Sequence, residues 1–242
     1  MFVESHMALV FDAPTVIFLA WTALYLPLIG WLGWKHLKSG KPLAPKLRTF
    51  RLGVLMLLVS ALLAVAAAQS NGIDLPLHFS LFDVLYGLGI AAVLVMWVRH
   101  GWKKATNNEA QRQRIRLLFT PNTRAEYMLA VVGGLCAGVG EELVYRDVLF
   151  QLVSRLTTSF WAALLVSILL FSAAHMAQGL HATITIACLG LLFQTLYLIS
   201  GNLVMPMVVH GLYDVAFFTM LYNVREERQP VAVEANRAGA QP

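Results

Sequence analysis

Glu141 and Glu142, followed by Arg146, interrupt an apolar run from about 125 to 156, and no other stretch of the sequence makes so strong a claim on chemistry. A charged side chain at the centre of a bilayer costs about 2.5–3.5 kcal/mol even on insertion scales, so such residues mark sites. On a helix, Glu142 and Arg146 lie four apart and can pair. Glu141 is turned about 100° away and has no local partner, so its presence calls for another explanation. Two further groupings follow in later apolar runs. Phe171 and His175 share a helical face, and so do His210 and Asp214, where the carboxylate can hold the imidazole in one tautomer. Carboxylates and imidazoles grouped in successive apolar runs are residue types of general acid–base chemistry.

The elements that must position these residues are helices in a bilayer. The chain has 242 residues, 58% of them hydrophobic and 13% charged. That balance fits an all-α, polytopic transmembrane helix bundle and not a soluble domain. Apolar runs at about 14–34, 50–69, 79–98, 125–155, 160–176, 181–200 and 203–222 predict about seven spans, with a four-helix catalytic core in the C-terminal half. Residues 1–120 are expected to hold N-terminal transmembrane helices and basic loops, 121–222 the catalytic bundle, and 223–242 a disordered tail. No internal repeat is visible. Cys136 and Cys188 lie in apolar stretches without the spacing of a disulfide framework or a metal site.

The basic residues set the orientation. The connection 35–51 carries six Lys and Arg and no acid, the connection 99–124 carries seven against Glu109 alone, and the tail adds Arg225, Arg228 and Arg237. The opposite connections carry none. The N-terminus is therefore expected outside and the C-terminus in the cytoplasm, and the net charge of +5 reads as lipid-facing, with no nucleic-acid partner. The first thirteen residues lack Lys and Arg, which predicts a spanning helix and not a cleavable signal. Counting from the outer surface at 1.5 Å per residue, Glu141 and His175 both lie roughly 21–22 Å down, at one depth. Gly134-x-x-x-Gly138 has the spacing of closely packed membrane helices.

The order Glu-Glu-x-x-x-Arg, Phe-x-x-x-His, His-x-x-x-Asp over about 125–222 resembles the CPBP family, also called ABI. That family includes type II CAAX prenyl endopeptidases and bacterial bacteriocin-processing and self-immunity proteins. Asp214 stands where the eukaryotic prenyl proteases have Asn. The resemblance implies an intramembrane endopeptidase whose motif residues converge in a cavity open to the cytoplasm. In that reading Glu141, His175, His210 and Asp214 are catalytic, with Glu141 the base and His175 positioning its water. His210, oriented by Asp214, serves the oxyanion or the leaving amine. Glu142 and Arg146 form a supporting ion pair, and Phe171 walls the cavity.

The resemblance implies no cofactor. A zinc enzyme is the mechanistic rival, with Glu141, His175 and His210 as ligands and one position left for water. Two other classes compete: a proton-coupled transporter, and a non-catalytic immunity or binding protein. The expected partners are membrane lipid and a membrane-associated protein or peptide substrate. The expected location is a bacterial inner membrane. Among the remaining polar residues, Asp147 and Arg155 are read as outer-leaflet pairing or rim groups and Asp83 with His78 as outer-interface residues. Gln178 and His181 are read as rim residues, and Tyr145 and Tyr213 as packing with hydroxyls near the site. The tryptophans, Trp21 among them, are read as an aromatic belt.

Overall fold

The computed structural model describes residues 9, 11–78, 80–105 and 109–226. These are almost wholly helical, with no strand among them. Eight helices follow in order: α1 (Ala13–Lys38), α2 (Lys46–Ser70), α3 (Leu81–Ala105), α4 (Glu109–Phe119), α5 (Arg124–Thr157), α6 (Phe160–Ala174), α7 (Leu180–Ser200) and α8 (Val204–Glu226). The chain is an integral membrane helix bundle. Five helices are long and apolar enough to cross a bilayer, namely α1, α2, α5, α7 and, to Asn223, α8. The other two apolar runs form shorter apolar helices, Leu81–Trp97 within α3 and Phe160–Ala174. Large apolar side chains such as Leu62, Trp161, Leu180 and Ile199 point outward, as a lipid-facing surface requires.

Local chemistry sets the helix ends. Asp12 caps α1 by accepting from the Thr15 amide. Thr123 caps α5 by accepting from the Glu126 amide, while the Glu126 carboxylate accepts from the Asn122 amide, a reciprocal start to the longest helix. Ser159 caps α6. Asn202 starts α8 by accepting from the amides of Val204 and Met205, and its own amide donates to Asp83 at 2.8 Å. Asp83 is thus buried in a helix junction and is not an outer-interface group as expected, because a capping amide takes its carboxylate.

Two regions differ from the sequence reading in their elements. The basic connection 99–124 contains α4, tied down where the Lys46 ammonium donates to the carbonyls of Arg116 and Thr120 at the C-terminal end of that helix. The tail expected from 223 begins as helix, since α8 runs to Glu226, and residues 227–242 lie outside the described residues. Trp21, assigned to the belt, instead turns inward and donates to Ser60 of α2 at 2.8 Å, within a π-helical turn over Trp21–Tyr25.

α8 lies along α5 and α3, and α2 lies along the other side of α5. Small residues make the central contact. A Cβ on Gly138 would stand 2.5 Å from the Gly211 nitrogen, and one on Gly134 2.9 Å from the Asp214 Cβ. The Gly134-x-x-x-Gly138 stripe therefore brings the backbone of α8 against α5 at the level of His210 and Asp214.

Candidate active site

α5 changes character where the charges begin. Its α-helical part ends at Glu141, and Glu142–Val148 form a π-helical stretch before α-helix resumes at Leu149. Inserted π turns widen a helix and recur at functional sites. All seven residues of this stretch are buried, which an ordinary α turn on a bundle surface does not achieve. The carbonyl of Arg146 accepts from the Gln194 side chain of α7 at 3.3 Å.

The two adjacent glutamates are separated by this geometry. Glu142 is fully buried and makes two contacts: Oε2 lies 3.1 Å from Arg146 Nε, and Oε1 lies 2.7 Å from His210 Nδ1. The Arg146 guanidinium is itself fully buried, with its carbon 4.3 Å from the centre of the Phe171 ring and 5.8 Å from that of Phe193. The aromatic faces meet N–H groups that have no hydrogen-bond acceptor. Glu141 is 17% exposed and points into the cavity, with Oε1 3.7 Å from His175 Nε2 and Oε2 3.8 Å from His210 Nε2.

Each histidine is anchored by one nitrogen and presents the other. His175 closes α6 as its C-terminal cap, and its Nδ1 donates to the Phe171 carbonyl at 2.7 Å. Because a carbonyl only accepts, that bond fixes the tautomer and leaves the Nε2 lone pair facing Glu141. His210 stacks on Phe193, ring centres 4.7 Å apart and planes 18° from parallel, while Nδ1 donates to Glu142. Its Nε2 faces Glu141 and also Asp214 Oδ2, at 3.7 Å. The orienting carboxylate for His210 is thus Glu142, not the Asp214 four residues along its own helix as the sequence suggested.

Glu141, His175, His210, Asp214 and Phe171 line one cavity of ≈ 360 Å³. Its remaining wall is apolar and aromatic and includes Tyr213, Phe217 and Phe218 of α8. The N-terminal half contributes Thr49, Phe50, Gly53, Val54 and Leu57 of α2, and Leu118 and Phe119 of α4. Sequence reasoning missed this second wall, since plain apolar residues on a spanning helix give no sign of which neighbour they face. Phe50, Phe119 and Phe218 form edge or tilted ring contacts there. Gln178, read as a rim residue, also lines the cavity.

The other polar residues fall elsewhere. Asp147 is not a rim group: it is fully buried, and its Oδ1 accepts from Tyr197 and from Gln151, each at 2.6 Å. Arg155 donates to the Asn71 carbonyl at 2.7 Å, tying α5 to the end of α2. The Tyr145 hydroxyl is buried without a hydrogen-bond partner, and its ring packs edge-on to Phe171. Among the described residues no group of three His, Cys, Asp or Glu side chains is disposed to hold a metal ion.

Residues 123–216 match the family of type II CAAX prenyl endopeptidases described as Rce1-like. The match covers less than half of the chain. It begins just before α5, ends in α8 beyond Asp214, and so takes in all seven of Glu141, Glu142, Arg146, Phe171, His175, His210 and Asp214. No curated protein and no solved structure matches the chain. This stretch of the membrane helix bundle is accordingly similar to an endopeptidase family. That similarity agrees with the CPBP resemblance of the motif order.

Proposed function

We propose that the protein is an intramembrane endopeptidase in which Glu141 and His175 activate a water for attack on a peptide bond, without a metal. The observation that carries this reading is the facing of the Glu141 carboxylate and the His175 Nε2 lone pair across 3.7 Å at the wall of a cavity. A water between two acceptors donates one hydrogen to each, which turns its own lone pair outward. A carbonyl carbon placed on that lone pair is attacked as Glu141 takes the proton, giving a tetrahedral oxyanion. His210 Nε2, when protonated, donates to that oxyanion, and a proton then passes to the departing amine. Glu142 holds the imidazole for this step from its other nitrogen. Asp214, on the same side as Nε2, positions the proton or the amide of the substrate.

The apolar walls favour a substrate segment with bulky apolar groups, presented by a membrane-associated protein or peptide. By their Lys and Arg content the connections 35–51 and 99–124 are taken as cytoplasmic and the N-terminus as outside. A bacterial inner membrane is the proposed location. Glu141 lies 3.7–3.8 Å from the two histidine nitrogens, close to the spacing of neighbouring zinc ligands, so zinc is the rival that the chelator arm of the test addresses.

The test is cleavage by the purified protein in vesicles of a panel of membrane-anchored peptides, prenylated CAAX peptides included. Wild type is expected to cleave with or without chelator, while Glu141→Gln and His175→Ala are silent. Loss of cleavage on chelation, restored by zinc, would overturn the metal-free mechanism. Cleavage unchanged in both variants would overturn the site.

A further inference from the structure

Beside the mouth of the catalytic cavity lies a second and larger hollow, ≈ 890 Å³, which the hydrolytic reading does not use. It is framed by the last three turns of α1, the connection Ser39–Ala44, the start of α2 and the end of α4. Its floor is apolar: Ile29, Leu32, Leu43 and Leu117 all belong to it, and each is more than a third exposed. Lys35, Lys41 and Lys46 stand at its edge together with His36. The connection 35–51 contributes no acid. The Glu126 carboxylate acts on Lys46. The ammonium of Lys46 is spent on the carbonyls of α4, which leaves Lys35 and Lys41 as the exposed cations. The His36 ring is held by the Pro42 carbonyl at 3.1 Å, which folds the connection back over the end of α1.

We infer that this hollow binds an anionic glycerophospholipid of the leaflet beside the basic connections. The phosphate lies between Lys35 and Lys41, and the acyl chains run down the Ile29–Leu32 face of α1. Three observations favour a lipid over an acidic peptide. The cations sit where the spanning helix α1 ends and α2 begins, and the ends of spanning helices are where headgroups are met. The apolar floor is continuous with the outward-facing Leu28 and Leu24 of the same helix, so a chain leaving the hollow stays in hydrocarbon. Finally, the charge is of one sign, as recognition of an anionic headgroup requires.

Thr49 and Leu118 belong to both hollows, so the bound lipid packs against the outer side of the catalytic wall. The inference does not depend on the protease reading.

The test is binding to the purified full-length protein in neutral detergent, followed by native mass spectrometry. Phosphatidylglycerol, phosphatidylcholine of the same chains and glycerol 3-phosphate are titrated separately. Each lysine near an anionic group is worth about fivefold, so Lys35→Gln/Lys41→Gln is expected to lose roughly thirtyfold in affinity for phosphatidylglycerol. Its weaker binding of phosphatidylcholine is unchanged. Leu43→Glu is expected to weaken both lipids, glycerol 3-phosphate to bind far more weakly than either, and Arg99→Gln, away from the hollow, to behave as wild type. Equal affinity for the two lipids, an unaffected double variant, or an equal loss in Arg99→Gln would each overturn the site. Tight binding of glycerol 3-phosphate would reassign it to a soluble phosphate.

Discussion

Oε1 of Glu142 and Nδ1 of His210 meet at 2.7 Å across a sequence separation of 68 residues, joining α5 to α8 at the centre of the bundle. The contact gives two neighbouring glutamates different work. Glu142 faces inward to Arg146 and His210, and Glu141 faces the cavity. Removing either should therefore fail in different ways.

Glu141→Gln keeps size and hydrogen bonding but removes the proton acceptor. We expect the variant to fold as wild type, with an unchanged thermal midpoint, and to lose about 10²–10⁴ in kcat. Single-turnover cleavage in vesicles, measured beside a melting curve, checks both halves.

Glu142→Gln should instead lower stability, because it strands the buried Arg146 guanidinium. Breaking such a pair costs about 3–5 kcal/mol. Glu142→Gln/Arg146→Met should recover much of that loss in denaturant titration while cleavage stays low, since His210 still lacks its anchoring carboxylate. A double variant that regains activity along with stability would show the pair to be scaffold alone.

Gly138→Ala places a Cβ 2.5 Å from the Gly211 nitrogen, on backbone that cannot swing aside. It is expected to cost about 1–3 kcal/mol and to push His210 away from Glu141, with cleavage falling sharply. Gly89→Ala on α3 is the matched control: nothing lies within 4 Å of its new Cβ, it does not line the cavity, and it should leave activity intact.

Tyr197→Phe removes one of the two donors to the buried Asp147 carboxylate. Stability should fall by about 1–3 kcal/mol with kcat and KM unchanged, because this cluster does not line the cavity.

Much of the site was legible because charge in an apolar helix has few explanations. Equal depth counts placed Glu141 level with His175, and the structure has them 3.7 Å apart. The glycine spacing on α5 likewise foretold a close helix contact. Three features were not legible. The π stretch at Glu142–Val148 depends on tertiary packing, which overrides the 3.6 period, so sequence spacing alone points His210 to Asp214 and not to Glu142. Asp147 reads from sequence as an outer-leaflet pairing or rim group, and Asp83 as an outer-interface residue, because their donors, Tyr197 and Asn202, lie far along the chain. The helix α4 lay inside a strongly basic connection, where charge masked its apolar end at Leu117–Phe119.

The wall built by α2 and α4 is drawn from outside the segment that holds the acid and the histidines. Part of the wall that a substrate would meet is thus encoded apart from the reactive groups. Grafting a foreign front half onto residues 123–216 should retarget the same hydrolytic machinery to other peptides, which leaves evolution free to change the menu without retuning the blade.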